Sequence, residues 1–144
     1  MSILSTAIIV FVILELSNVI IMYFNPEFKY GNSIAVFKGW EKSKEDEDLH
    51  EFVKYLVNWV AGTKLIFIVL LLVIVFTGNE LTKFLSAVAL VLSIGSYYFR
   101  LAPIIKKLDK KGEITPKGYS KTLGQMISSF MIVISIALIL EMIL

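Results

Sequence analysis

The chain contains no cysteine, one arginine, one histidine and three prolines in 144 residues. Without cysteine there is no disulfide, thiolate nucleophile, thioether-linked haem or cysteine zinc site. With His50 alone, a multi-histidine metal centre within one chain is excluded, and no serine nucleophile motif lies beside it to activate. Gly31, Gly39 and Gly112 form no phosphate-cradling pattern, so nucleotide binding has no support. The formal charge of +2 is too small for a nucleic-acid partner. No cofactor is implied, and no nucleophile or metal constellation supports an enzyme.

What the chain has is apolar length. Hydrophobic residues make up 57% of it, with a mean hydropathy of +0.79. A soluble core of this size cannot hide that much apolar surface, so lipid is expected to be the solvent. Residues 55–76, YLVNWVAGTKLIFIVLLLVIVF, carry one charge and are long enough to cross a hydrocarbon core of about 30 Å. Four such spans are predicted, at about 3–24, 55–77, 81–102 and 122–144, in an all-α antiparallel bundle forming a single membrane domain. The N-terminal run has neither a basic region nor a small-residue cleavage site and reads as a retained span. Asn25-Pro26 and Pro103 are expected to close the first and third spans. Thr77-Gly78-Asn79-Glu80 is short enough to force a hairpin between the second and third.

Two long loops remain, 25–54 and 103–121. In the first, Trp40 and Phe37 beside Lys38 and Lys42 predict a segment lying along the headgroups. Ser43 followed by Glu45, Asp46, Glu47 and Asp48 predicts a helix start that runs unbroken into the second span. These acids point around a helix and do not converge on a cation. The second loop holds six lysines against Asp109 and Glu113. Twelve Lys and Arg lie in or beside the two loops, and Lys83 alone lies at the opposite ends. That bias predicts that both loops are cytoplasmic and both termini outside. Thirteen lysines to one arginine, with abundant isoleucine, read as an AT-rich prokaryotic genome, hence a cytoplasmic (inner) membrane. Membrane lipids are the expected partners, together with a second copy or another membrane protein.

Charge inside a span must be compensated or reach an interface. At about 1.5 Å per residue from the cytoplasmic helix ends, Glu15 and Lys64 both fall roughly 13 Å deep. They are expected to pair. Asn18 and Gln125 fall at roughly 9 Å, Ser96 at roughly 10 Å, and Ser93 and Ser128 at roughly 14 to 15 Å, one polar layer. Alternating steps of three and four predict the inward seams: Phe11, Glu15, Asn18, Met22; Val57, Ala61, Lys64, Ile68; Ser86, Ala89, Ser93, Ser96, Arg100; Lys121, Gln125, Ser128, Ile132, Ser135. Glu141 is expected at the outer headgroups. Two functional readings follow. In the first, the layer of Glu15, Asn18, Lys64, Ser93, Ser96, Gln125 and Ser128 opens to the cytoplasm and handles a proton, an ion or a small polar ligand. In the second, the chain is a structural or accessory subunit and the layer fixes helix register.

Overall fold

The computed structural model describes residues 2–30 and 32–143. Gly31 and the final residue of the fourth span, Leu144, lie outside these. Four stretches are long and apolar enough to cross a membrane: Ile3–Phe24, Glu47–Thr77, Glu80–Lys110 and Tyr119–Ile143. No more than 22% of the most apolar window of any of them is buried within the protein. Large side chains such as Phe99, Phe24, Phe76 and Leu92 stand more than two-thirds exposed, as lipid contact allows and water does not.

Helix α1, Ile3–Phe24, starts on Ser2, whose side chain accepts the Ser5 N–H, and stops at Asn25. Pro26 then blocks a further turn. A 3₁₀ turn, Ile34–Val36, and a short helix α2, Lys38–Ser43, follow. Helix α3, Glu47–Thr77, is 31 residues long, about 46 Å, and so outreaches the hydrocarbon by several turns. Its cap is Asp46, which accepts the Leu49 N–H at 3.0 Å, with Glu47 and Asp48 in the first turn. Ser43 is not the start. It closes α2 instead, its hydroxyl donating to the Trp40 carbonyl at 2.7 Å.

Gly78 makes the hairpin to α4, Glu80–Gly95, possible: a Cβ there would sit 2.5 Å from the Ile74 carbonyl oxygen. Asn79 caps α4 by accepting the Thr82 N–H at 2.8 Å. The third span does not stop at Pro103. It is interrupted at Ser96, two turns earlier, and resumes as α5, Tyr97–Lys110, with Pro103 inside. Burial explains the overrun. Ala102 and Ile105 pack with Val36, Tyr97, Ile114, Tyr119 and Leu123 in a second apolar cluster beyond the main one, a gain that outweighs the one backbone hydrogen bond a helical proline forgoes. Helix α6 spans Tyr119–Ile143.

Helix α1 runs antiparallel to α3 and to α6. Leu4 at the start of α1 meets Glu141 at the end of α6; Phe11 meets Phe67, while Tyr23 lies against Gly62. The main core draws on α1, α3, α4 and α6 through residues such as Ile8, Ile68, Leu90 and Ile134. The two long connections lie at one end and are joined there. Thr115 N–H donates to Val36 O at 2.8 Å and Lys38 N–H to Glu113 O at 2.9 Å, a single antiparallel bridge between Phe37 and Ile114. Lys42 adds an ion pair to Glu113 at 2.7 Å. The Trp40 side chain is consequently enclosed by protein and does not present itself to headgroups. It is 2% exposed, packed with Ala35 and Val57, because the bridge and the Ser33-capped 3₁₀ turn draw the segment inward.

Candidate functional site

Position 15 of α1 and position 64 of α3 each follow an inward step of three or four from buried neighbours: Ile8 and Phe11 before Glu15, Val57 and Ala61 before Lys64. The Lys64 ammonium donates to Glu15 Oε2 at 2.7 Å and to Asn18 Oδ1 at 2.8 Å. Asn18 in turn donates from Nδ2 to the Asn32 carbonyl at 2.9 Å, tying the cluster to the first long connection. The charged side chains are 25% and 20% exposed. Burial at that level strengthens the attraction relative to water without the full desolvation cost of a dry interior.

Two mostly apolar cavities flank the cluster. One, of about 280 Å³, is lined by Lys64 with Met22, Asn32, Ile34, Phe37 and Val53. The other, of about 270 Å³, is lined by Glu15, Ser17 and Asn18 with Leu123 and Phe130. Each charge therefore faces its own space while touching the other. Chemically this is a paired carboxylate and ammonium, each with a cavity beside it. An incoming charged group meets whichever of the two it matches.

The remaining residues of the predicted layer lie elsewhere. Ser93 and Ser96 are exposed, and the face α4 buries runs instead through Ala87 and Leu90. Gln125 is exposed, and Ser128, half-buried, lies with it in a separate recess between α5 and α6. Helix α6 buries Leu123, Ile134 and Ala137. Serine does not need a neighbouring helix. Ser96 donates to Ser93 O at 2.7 Å, Ser128 to Gly124 O and Ser129 to Gln125 O, both at 2.9 Å, so these hydroxyls find an acceptor in their own chain segment, and Ser128 in addition meets the Tyr98 hydroxyl of α5.

Three polar groups escaped the sequence reading. Asp109 is 7% exposed and takes the Gly118 and Ser120 N–H groups at 2.9 Å each, capping the start of α6. Glu141 accepts the Leu4 N–H at 3.2 Å, capping α1 from another helix. Both partners are remote in sequence from the acid, so no local spacing announces them. The third is a serine–histidine contact, Ser43 Oγ to His50 Nδ1 at 2.8 Å. It is not a nucleophile pair: Ser43 is 1% exposed and its proton is directed to Trp40 O, which leaves His50 Nδ1–H as the donor to Ser43.

Around Trp40, Glu27 accepts the indole N–H at 3.0 Å and pairs with Lys44 at 2.8 Å. The Lys44 hydrogen bond holds the Glu27 carboxyl below the usual carboxylate range, and the same bond raises Lys44. Lys42 likewise lowers Glu113. Among the described residues, no group of three or more His, Cys, Asp or Glu side chains is placed to hold a metal ion. No protein-family model, curated protein or solved structure matches the chain.

Proposed function

We propose that this four-span membrane protein is non-enzymatic and transport-like, and that its Glu15–Lys64–Asn18 cluster binds an ion or a small polar ligand entering from the side of the long connections. The supporting observation is the pair of cavities, one presenting Lys64 and the other Glu15, on either side of a mutual contact of 2.7 Å. Lysine bias gives the orientation: both long connections in the cytoplasm, both ends of the chain outside, in a prokaryotic cytoplasmic membrane. Their meeting at one end of the molecule supports their lying on the same side.

A second reading, a packing lock within an accessory subunit, is favoured by the two bonds that Lys64 makes to Glu15 and Asn18. A single thiol separates the two. Ser17 lines the Glu15 cavity, and Ser17→Cys would be the chain's only cysteine. Labelling by a membrane-impermeant maleimide from the cytoplasmic side supports an aqueous binding site, and protection in the folded protein supports the lock.

A further inference from the structure

A recess of about 570 Å³ lies away from the Glu15–Lys64 cluster, between α5 and α6 at the end that carries the long connections. Lys106 and Lys121 stand on its walls with Tyr98, Ser120 and Gln125, and Gly124 is among its lining residues. Among the described residues neither lysine makes an ion pair. The acid in their neighbourhood, Asp109, has both oxygens occupied by the Gly118 and Ser120 N–H groups. Two ammonium groups that make no ion pair therefore face one space that also offers an amide and hydroxyls.

Gly124 is the second observation. Glycine weakens a helix interior, so it persists where something needs the room. Gly62 and Gly95 have such a neighbour: a Cβ would come within 3.2 Å of the Tyr23 hydroxyl in one case and 3.3 Å of the Met131 methyl in the other. At Gly124, as at Gly39 on the short helix α2, a Cβ would meet nothing within 4 Å, and of these two it is Gly124 that lines the recess. No protein group uses that space. The Gly124 carbonyl is held by the Tyr98 hydroxyl at 3.1 Å and by Ser128, which fixes the wall. Leu101 and Phe99, more than half exposed on α5, continue the outer surface of the same helix toward the membrane interior.

We propose that this recess binds a phosphate-bearing ligand, its oxyanion between Lys106 and Lys121 and its body over Gly124, as the headgroup of an anionic phospholipid would lie. Purified protein in detergent should be stabilised against heating by phosphatidylglycerol more than by phosphatidylcholine. Replacing both recess lysines (Lys106→Gln with Lys121→Gln) should weaken the response roughly 30-fold, about fivefold per charge. Gly124→Leu should abolish it by filling the space, while the helix itself is strengthened. Lys107→Gln with Lys111→Gln removes the same charge outside the recess and should leave the response intact. The same pattern with inorganic phosphate alone supports the oxyanion site and assigns a free anion as its source. Equal stabilisation by phosphatidylcholine, no response to either anion, or a response that follows lysine number and ignores position overturns the proposal.

Discussion

The α1–α3 contact and the α4–α6 contact are built from similar material, apolar helices each carrying a seam of polar residues, yet they treat those residues in opposite ways. Between α1 and α3, Glu15, Asn18 and Lys64 turn toward each other. Between α4 and α6 the apolar Ala87, Leu90, Ile134 and Ala137 meet, and Ser93, Ser96 and Gln125 turn away. Polarity alone does not decide which face is buried. What decides is whether a side chain can satisfy itself: a hydroxyl returns to its own helix, whereas an ammonium or carboxylate has no backbone group within reach that matches its charge.

The largest expected effect tests that rule directly. Glu15→Ala leaves Lys64 facing Asn18 without a counter-charge and should cost about 3 kcal/mol, the low end for a broken buried pair because both side chains retain some exposure. Equilibrium unfolding in mixed micelles reads it. Glu15→Leu with Lys64→Met should recover most of the loss, and a double variant as unstable as the single one would show that the pair is not what joins α1 to α3. Next in size, Asp109→Asn weakens the cap on α6 and should cost about 1 to 2 kcal/mol in the same assay.

Smaller again is a pH effect confined to the joined connections. Glu27 and Glu113 titrate below their ordinary value of 4.5, so their contribution is complete above that pH and fades as pH falls through their lowered values. Lys44 is raised from 10.5, so its share is complete below that pH and fades as pH rises past its raised value. Trp40 emission, followed in a Trp59→Phe background, should change at both extremes before the helices unfold. An unchanged Trp40 signal down to the acid unfolding transition would separate the Glu27 pair from the packing of Trp40. Smallest of all, Ser93→Ala and Ser96→Ala should each shift stability by less than about 0.5 kcal/mol. A loss comparable to that of Glu15→Ala would erase the distinction between the two contacts.

The same distinction marks what could be read from the residues alone. Four spans follow from apolar length, and the common level of Glu15 and Lys64 follows from helical rise, because both are constraints that lipid imposes on any chain. The seams of α4 and α6 do not follow, because a three-four spacing is satisfied equally by Ala87, Leu90 and their neighbours as by Ser86, Ser93 and theirs, and a serine does not require a partner on another helix. The overrun of α5 past Pro103 depends on the cluster around Ile105 and Ile114, which forms only when both long connections come together. Asp109 and Glu141 serve helix ends that a local spacing does not reveal.

The backbone bridge from Phe37 to Ile114 also orders events during synthesis. Helices α1 and α3 contain both members of the Glu15–Lys64 pair, but the Val36 carbonyl and the Lys38 N–H lack their partners until residues 113–115 are made. The earlier-made connection must wait, partly unsatisfied, for the later one, and a chain arrested between α4 and α6 would expose it.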